Sequence, residues 1–555
     1  RKTSPNIFSK LGMAPSIAAA TALTASLAAS LLVLAAVRSR KGRPCPESES
    51  DGRAAGGYES VIGNTPLVRL PAVSSLLPDG VSIYLKMESG NPGGTGKDRA
   101  ARSMVLDAER RGTLPPPLAP SRPGEGGGTI GTSGPGSGAA SKWNGKARSD
   151  ESTSDTVPPD CIPPEMHAAI LTALRNTRTH GIIIEGTSGS TGISLASLAC
   201  TRGHGTVVVM PDDQSSQKSD LLRRLGCGVL VVRNCGISNP GHYVNVARRV
   251  WEVLQVERRY DDSYLRMKSR SGAEVKGDGG RQAPRLIRAA FMDQFENLSN
   301  VMSHYTATGP EIRDQLDGRV DAFVMSSGTG GTIVGVGACL KEGWHRETKR
   351  RRKRTTTTGG TGRPEPRIVL VDPPGSSLYN RIKFGVAYAS QQSERRLRRH
   401  RYDTLAEGIG LDRITANFAL GCRPVDWDQV SFNELVRGAD QGGQASSLQR
   451  RGGSGSIIDD ALSITDQQAV VTAHYLLRHE GLFVGSSTSM NVAGAIMTAI
   501  SMPPGSNVVT VACDGGMRHT SRFWNRDFVE GRGLVWPDEG TLTGEGLLEC
   551  LIDGG

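Results

Sequence analysis

The stretch IIIEGTSGSTGISLASLACTRGHGTVVVM, residues 182–210, contains the unit from which the fold can be predicted. It begins with an apolar β run, Ile182–Glu185, and a turn rich in glycine, serine and threonine then leads into a predicted helix, Thr191–Thr201. A second β run, Thr206–Met210, follows. Strands that alternate with helices in this way predict a parallel sheet covered by helices. Because ligands of such folds bind at the carboxyl ends of strands, the turn 186–192 is a candidate site.

The same alternation continues on both sides of this unit. Further predicted strands are Val81–Met87, Val229–Val232, Phe323–Met325, Ile368–Val371 and Val508–Ala512. Further predicted helices cover residues 97–111 and 214–225. The chain is therefore predicted to be an α/β protein, with its ordered region between residues 58 and 535.

Several segments interrupt this pattern and are predicted to be disordered surface insertions. They are polar, glycine-rich or strongly charged, and they offer too little apolar surface to offset the entropy of ordering. These segments are 113–165, 263–284, 346–366, 390–400 and 438–455. The chain has 70 glycines and a hydrophobic fraction of only 37%. Both values fit a globular protein whose average hydrophobic content is lowered by such insertions. Residues 536–555 are predicted to be a tail.

The charge and the cysteines exclude several classes of function. Much of the net charge of +11 comes from two basic runs, Lys349–Arg354 and Arg395–Arg401, and the first is predicted to lie in a solvated loop. No basic stripe alternates with aromatic residues, so we expect no nucleic-acid partner. The nine cysteines form no CxxC pair and no cluster with histidine, which predicts no metal site and no disulfide framework.

The N-terminal segment has the length of a membrane span. Residues Ala14–Val37 include no charged residue, and Arg38, Arg40, Lys41 and Arg43 follow them. About 20 apolar residues suffice to cross a bilayer. We predict an anchor rather than a cleaved signal peptide, which is the alternative, because the run is longer than a signal core. The basic flank predicts that the rest of the chain faces the cytosol.

A single lysine follows a Pro-Gly-Gly turn in SGNPGGTGKDRAA, residues 89–101. Two interpretations of Lys97 are open. It is either a solvated residue in the first turn of a helix, or an amine that is presented to a ligand. In the second case the glycines allow the ligand to approach the backbone closely. Two glycine-rich loops favour the second interpretation. GTSGSTG, residues 186–192, and SGTGGT, residues 327–332, each connect a predicted strand to a helix and can present backbone N–H groups to an anion.

The combination of an amine and an anion loop predicts a ligand that has both a carbonyl group and a phosphate. Pyridoxal 5'-phosphate has both, and it serves as an electron sink for carbanions of amino acids. The second loop is then free to bind the carboxylate of a substrate. Histidine and cysteine near these loops are predicted to be packing residues: His304 with Tyr305, and Cys513 at a strand end.

Nine motifs of the chain resemble, in the same order, those of the cysteine synthases, or O-acetylserine sulfhydrylases. They are VIGNTPLVRL (61–70), SGNPGGTGKDRAA, EGTSGSTGISLA (185–196), VVVMPDDQSSQKSDLLRRLG (207–226), FMDQFENLSNVMSHYTATGPEI (291–312), SSGTGGTIVGVG (326–337), AEGIGLDRITANF (406–418), EGLFVGSSTSMN (480–491) and VVTVACDGGMRHTSRF (508–523). The sequences of these motifs are most similar to those of the fungal "cysteine synthase 2" branch. Members of that branch resemble this chain in having an N-terminal membrane segment and a mitochondrial association.

The resemblance implies a fold and a localisation. The fold is the tryptophan synthase β-like arrangement (fold type II) of two doubly wound α/β domains. The smaller subdomain would cover about 88–290, and the larger one about 291–535 together with 58–87. The N-terminal helix would place the enzyme in the mitochondrial outer membrane with its catalytic region towards the cytosol. A homodimer is also expected.

The resemblance also implies roles for individual residues. Lys97 matches the lysine that forms the internal aldimine and moves the α-proton. The residues that match the phosphate loop are Gly328, Thr329, Gly330, Gly331 and Thr332. The residues that match the substrate-binding positions are Thr187, Ser188, Gly189, Thr191, Gln294 and Gly408.

Two residues depart from the family pattern. Ser190 stands where an asparagine usually contacts the ring hydroxyl of the cofactor, and it is shorter. Gly515 stands where a serine usually contacts the pyridine nitrogen, so that hydrogen bond would be absent. The expected reaction is formation of L-cysteine from O-acetyl-L-serine and sulfide through an aminoacrylate. A serine or threonine dehydratase, a cystathionine β-synthase-type enzyme and a membrane-tethered pseudoenzyme remain alternatives.

Overall fold

The computed structural model describes residues 57–117, 162–256, 287–354, 363–388, 404–440 and 455–553. The predicted membrane anchor, residues 14–37, lies outside these residues, as do most residues of the predicted insertions. Among the helices within the described ranges, none is both long enough and apolar enough to cross a membrane.

The described strands form two sheets. The strands are β1 (Leu67–Arg69), β2 (Ser82–Lys86), β3 (Gly181–Gly186), β4 (Gly205–Pro211), β5 (Gly228–Val232), β6 (Arg288–Phe291), β7 (Ala322–Ser326), β8 (Arg367–Asp372), β9 (Asp460–Ser463) and β10 (Asn507–Val511). The larger sheet has the order β1-β2-β10-β7-β8-β9, and the smaller sheet has the order β5-β4-β3-β6. Neighbouring strands are parallel throughout, except that β1 runs antiparallel to β2.

Helices connect these strands. They are α1 (Pro71–Ser74), α2 (Lys97–Arg110), α3 (Pro164–Asn176), α4 (Ser190–Arg202), α5 (Ser216–Arg224), α6 (Tyr243–Val256), α7 (Ser299–Ser303), α8 (Gly309–Gln315), α9 (Gly331–Arg354), α10 (Leu378–Phe384), α11 (Ala416–Gly421), α12 (Phe432–Asp440), α13 (Asp466–Tyr475), α14 (Ser486–Ile500), α15 (Arg526–Glu530) and α16 (Gly544–Asp553). Single π-helical turns cover His304–Thr308 and Leu476–Glu480, and 3₁₀ turns cover Tyr58–Val61, Glu88–Gly90 and Gly516–Arg518.

Apolar strands covered on both faces explain the core of each sheet. Every residue of β3, β4 and β7 is buried, as expected for parallel strands with helices on both sides. In the larger sheet, α14 packs on β7 and β10, while α9 packs on β7 and β8. In the smaller sheet, α3 and α6 pack on one face, while α2 and α4 pack on the other. The predicted α/β fold with parallel sheets is confirmed.

The basic run Lys349–Arg354 is not in a loop, as the sequence had indicated, but forms the last turns of α9. Ion pairs at the i,i+4 spacing support this part of the helix, between Arg346 and Glu342 and between Arg351 and Glu347. Cations near the C-terminus of a helix are also stabilised by its dipole. The composition of the run and its flanks had indicated a loop, whereas its local ion pairs favour a helix.

The tail predicted after residue 535 is instead helical and packed. In α16, Leu547 and Leu551 lie one helical turn apart and are completely buried in the core of the larger sheet. Gln468 on α13 donates side-chain hydrogen bonds to the carbonyls of Cys550 and Leu551, at 3.3 and 3.1 Å. The end of the described chain therefore contributes to the core.

A buried network of four charged residues connects β2 and α2 with α8. Arg99 donates to Glu88 and to Glu311, and the Lys86 ammonium lies 2.7 Å from Glu311. Burial favours a raised pKa for Glu311, but the hydrogen bonds and charges of Arg99 and Lys86 lower that pKa to about 2. Because the pKa is lower in the folded state, the stabilisation is present above the ordinary value and is lost as the pH falls towards 2.

We expect Glu311→Gln to lower the free energy of unfolding by about 3 kcal/mol at pH 7, because it leaves two buried cations short of one anion. Urea denaturation should show this difference shrinking markedly by pH 3. A suitable control is Glu347→Gln, which removes an exposed partner of Arg351 and should cost less than about 0.5 kcal/mol. An equal effect of Glu311→Gln at pH 7 and pH 3 would contradict this account.

Candidate active site

A cleft lies where the carboxyl ends of strands from both sheets meet. The segments that follow β2, β3, β7 and β10 all contribute to its wall. Its lining residues are Thr95, Lys97, Ser188, Ser190, Thr191, Lys218, Gln294, Phe295, Met325, Ser326, Gly328, Thr329, Gly330, Thr332, Glu407, Gly408, Ile409, Ser487, Cys513 and Asp514. The loops that lead from strands to helices therefore line a polar cleft, which is where ligands bind in such folds.

Lys97 is the first residue of α2 and lines this cleft. The turn before it is tight: the Gly94 amide donates to the Asn91 carbonyl at 2.7 Å, and Gly94 has a φ of 74°. The amide of Gly96 donates to the carbonyl of Cys513 at 3.3 Å, which ties the turn to the segment after β10. This geometry explains why glycines precede the lysine, since side chains disfavour such backbone angles.

Burial lowers the pKa of the Lys97 ammonium, although the nearby Cys513 and Asp514 act in the opposite direction. A buried amine loses its proton more readily because the low-dielectric surroundings disfavour the charge. Only the neutral amine can attack a carbonyl carbon. Lys97 thus lies in the cleft with a lowered pKa, and its role as a nucleophile remains a prediction.

The predicted phosphate loop connects β7 to the N-terminus of α9. The 24-residue helix directs its free N–H groups and the positive end of its dipole towards the cleft. Gly330 has a φ of 86°, and a Cβ there would lie 2.8 Å from the backbone of Phe418. The Thr415 hydroxyl donates to the Thr329 carbonyl at 2.7 Å, and the Asn300 amide donates to the Thr329 hydroxyl at 2.9 Å. The loop is therefore held in place by the protein itself.

Unsatisfied polar atoms at this loop fit a phosphate group. The hydroxyls of Ser326 and Ser327 are buried and have no hydrogen-bond partner within the described part of the chain. Buried polar groups are normally paired, so two free hydroxyls beside a helix N-terminus indicate a ligand that accepts hydrogen bonds. Ser326 lines the same cleft as Lys97, and a phosphate beside an amine fits pyridoxal phosphate.

His304, predicted to be a packing residue, is buried and also contacts the phosphate loop. Its Nε2 lies 3.2 Å from the Thr332 hydroxyl, and its Nδ1 lies 3.0 Å from the hydroxyl of Thr308. Burial, with the charges of Lys97 and Arg99, holds the pKa of His304 well below its ordinary value. A neutral imidazole can donate to Thr332 while accepting from Thr308, which orients the Thr332 hydroxyl.

The predicted substrate loop follows β3 and begins α4. The Gly189 amide donates to the Thr187 hydroxyl at 3.1 Å, and the Thr191 hydroxyl donates to the side-chain oxygen of Gln294 at 2.5 Å. The Gln294 amide donates in turn to the Gly186 carbonyl at 3.3 Å. These contacts bring the loop and Gln294 together, as the resemblance implied. Ser188, Ser190, Thr191 and Gln294 line the cleft, whereas Thr187, Gly189 and Gly331 are not among its lining residues.

Gly408 closes the cleft between the two loops. It has a φ of 84°, and its carbonyl contacts Gly328 so closely that a side chain on Gly328 would not fit. A Cβ on Gly408 would lie 3.2 Å from the Ser188 hydroxyl. The predicted entrance residue therefore touches both the phosphate loop and the substrate loop.

The structure does not bring Gly515 into the lining of the cleft; the two preceding residues line it instead. The Asn491 amide contacts the Cys513 sulfur at 3.3 Å, and His519 contacts the Asp514 carboxylate at 3.0 Å. Burial, with the charge of Asp514, raises the pKa of the Cys513 thiol to about 11, so the thiol stays protonated at neutral pH. This agrees with the prediction that Cys513 is inert.

Sequence reasoning missed two charged residues that line the cleft, Lys218 and Glu407. Both lie inside motifs that carry the family resemblance, but they are 189 residues apart in the chain. Charged residues in an amphipathic helix and in a glycine-rich loop are usually solvated. Only the three-dimensional structure shows that they pair with each other.

Gly515→Ser tests whether the missing hydroxyl matters. Gly515 has ordinary extended angles, φ −92° and ψ 157°, and the nearest atom to an added Cβ is the Phe483 carbonyl oxygen at 3.9 Å. We expect serine to fit with a change in stability below about 0.5 kcal/mol. Because Gly515 lies outside the lining of the cleft, we expect the serine to change cofactor affinity less than about 2-fold in equilibrium titration. Binding tightened by about 3- to 10-fold, the effect of one new hydrogen bond, would mean that this position does face the cofactor ring.

Comparison with known proteins identifies the family. Residues 58–141 and 166–441 match the family model described as "Pyridoxal-phosphate dependent enzyme". The chain is 34% identical to "Putative mitochondrial cysteine synthase" of Saccharomyces cerevisiae, over 84% of each chain. It is 35% identical to "Cysteine synthase 2" of Neurospora crassa, over 84% of this chain and 73% of the relative.

A solved structure, "O-ureido-L-serine synthase", shares the fold, with a TM-score of 0.50 and 22% identity over 87% of this chain and 97% of that one. The lysine in the polar cleft, the anion loop at a helix N-terminus and the sequence matches all lead to the same assignment. The chain belongs to the pyridoxal-phosphate dependent enzymes, within the cysteine synthase family.

Proposed function

We propose that this pyridoxal-phosphate dependent cysteine synthase makes L-cysteine from O-acetyl-L-serine and sulfide. The observation that supports the proposal is the position of Lys97 between two loops that can bind different anionic groups. On one side lies the loop at the N-terminus of α9, and on the other lies the loop of hydroxyl and amide groups that begins α4. A phosphate and an α-carboxylate can bind at these two loops at the same time.

The chain's own residues have separate tasks in this reaction. When it is bound, the cofactor offers an aldehyde to an amine and withdraws electrons from the α-carbon of the substrate. Lys97, with its lowered pKa, attaches the cofactor and then takes the α-proton at its Nζ atom. The 187–191 loop and Gln294 orient the carboxylate, so that the α-proton faces Lys97.

The overall reaction is a replacement at the β-carbon. The bond from this carbon to the acetate oxygen breaks, a bond to sulfur forms, and acetate leaves with the electron pair. Lys97 returns its proton to the α-carbon. The loop around Gly408 excludes water by contacting both of the other loops.

Product analysis of the full chain tests this proposal. O-acetylserine and sulfide should yield cysteine and acetate in equal amounts, measured by mass spectrometry. Serine, threonine and homocysteine should be offered in parallel, with Lys97→Ala as the control. Release of a keto acid from serine or threonine, without cysteine from O-acetylserine, would favour a dehydratase; condensation only with homocysteine would favour a cystathionine-forming enzyme. No product from any mixture would favour the pseudoenzyme.

We also propose that the enzyme is anchored to the mitochondrial outer membrane by residues 14–37. The support is the uncharged length of that segment, the basic residues after it, and the word "mitochondrial" in the name of the Saccharomyces relative. After cell fractionation, alkaline carbonate should leave the full chain in the mitochondrial membrane pellet and release a variant that lacks residues 1–57. Release of both proteins would overturn the anchor.

A homodimer is proposed on the family resemblance alone. Analytical ultracentrifugation of the full chain in mild detergent should give twice the chain mass of 58.9 kDa after correction for detergent. A monomer at micromolar concentration would overturn this proposal without affecting the proposed reaction.

A further inference from the structure

Lys218 and Glu407 form an ion pair between the two lobes of the structure, the four-stranded sheet with its helices and the six-stranded sheet with its helices. Lys218 lies on α5 beside the smaller sheet, and Glu407 precedes Gly408 in a loop of the larger lobe. Their side chains are only 3% and 4% exposed, although both residues line the cleft. A pair this strongly buried differs from the surface ion pairs that contribute little.

The pair lies directly over the candidate substrate loop. A Cβ on Gly189 would lie 2.5 Å from Cδ of Lys218, so the aliphatic stem of the lysine covers that loop. Glu407 holds the other end, next to the glycine whose carbonyl contacts Gly328. The side chains of Lys218 and Glu407 thus bridge the mouth of the cleft, and we call this pair the clasp.

Neighbouring hydrogen bonds join the same two lobes. The Ser215 hydroxyl donates to the Arg518 carbonyl at 2.8 Å, and the Ser521 hydroxyl donates to the Gln217 side chain at 2.8 Å. These contacts place the N-terminal end of α5 against the segment that follows β10. The clasp is therefore part of an edge at which several polar contacts join the two lobes.

We propose that the clasp keeps water out of the cleft after acetate has left and before sulfide adds. The clasp therefore determines the ratio of cysteine to the product of hydrolysis, pyruvate. This inference rests on the proposed function. When sulfide adds to the three-carbon fragment that remains, the products are cysteine and acetate. When water reaches the fragment instead, O-acetylserine and one water give pyruvate, ammonium, acetate and one proton.

The charges around the clasp decide which variant tests it best. Glu407 also lies 3.8 Å from Arg522, so it keeps a cationic neighbour when Lys218 is replaced. Replacing Glu407 would instead leave the buried Lys218 ammonium and the nearby Arg522 without this anion, which is strongly destabilising. Lys218→Met retains the stem over Gly189 and removes only the charge, and Lys218→Arg retains the charge.

The experiment measures the ratio of pyruvate to cysteine for the full chain with O-acetylserine and sulfide. We expect Lys218→Met to raise this ratio at least about 10-fold and Lys218→Arg to change it less than about 2-fold. Hydrogen exchange gives a readout independent of turnover: amides of residues 404–411 should exchange faster in Lys218→Met than in the unmodified protein.

Lys341→Met is the control, because the Lys341 side chain is as buried as that of Lys218, 3% exposed, and pairs with the more exposed Asp459 at 2.5 Å, away from the cleft. It should lower stability and leave the ratio unchanged. An unchanged ratio in Lys218→Met would overturn the inference, as would an equal increase in the control. If the unmodified protein makes no cysteine at all, the proposed function fails; if it makes cysteine and the ratio never moves, only the clasp fails.

Discussion

Lys97→Ala should reduce cysteine formation by about 10³-fold or more, because it removes the group that attaches the cofactor and moves the α-proton. Borohydride reduction of the unmodified protein should add the mass of the reduced cofactor to the peptide that contains Lys97. Lys218 lines the same cleft and is a natural internal control, since its peptide should carry no such mass. A label on Lys218 in place of Lys97 would contradict the assignment.

Lys97→Arg separates the role of the amine from that of the positive charge. Arginine keeps a cation at the same place, but its pKa lies above about 12, so it cannot attack an aldehyde. We therefore expect it to be as inactive as alanine. In the unmodified protein, the rate of cofactor attachment should rise with pH as Lys97 loses its proton, and burial moves that rise below the ordinary lysine value. Activity in the arginine variant would mean that Lys97 supplies only charge.

Local signals account for what the sequence could predict. Each strand of the cores is a short apolar run, and each candidate loop is a run of small residues directly after such a strand. Because the carboxyl ends of parallel strands meet at one edge, loops far apart in the sequence converge without any further information. Lys97, Ser188 and Thr329 could therefore be placed at one site from sequence alone.

Long-range contacts account for what the sequence could not predict. The pairing of Lys218 with Glu407 depends on how the two lobes pack, which no local pattern encodes. The burial of Leu547 and Leu551 depends on a partner helix, α13, that lies far away in the chain. The basic end of α9 was misjudged for a different reason, because composition suggested a loop while the spacing of its ion pairs favoured a helix.

Gly330→Ala should weaken binding of pyridoxal phosphate about 100-fold, which corresponds to losing one or two charge-assisted hydrogen bonds to a phosphate. The residue has a φ of 86°, and the added Cβ would meet Cβ and the backbone of Phe418 at 2.7 to 2.8 Å. Neither α11, which carries Phe418, nor the first turn of α9 can move without displacing the loop. The measurement is titration of the cofactor-free protein with pyridoxal phosphate, followed by absorbance.

Gly533→Ala separates the steric effect of Gly330→Ala from ordinary backbone strain. Gly533 has a similar φ of 78°, but no atom lies within 4 Å of an added Cβ. Alanine there should cost about 1 kcal/mol of stability and leave cofactor affinity unchanged, since the site is remote from the loop. If both variants bind the cofactor as tightly as the unmodified protein does, the loop at 328–332 does not hold the phosphate. If both lose affinity equally, the loss reflects global stability; only a loss confined to Gly330→Ala supports the loop as the phosphate site.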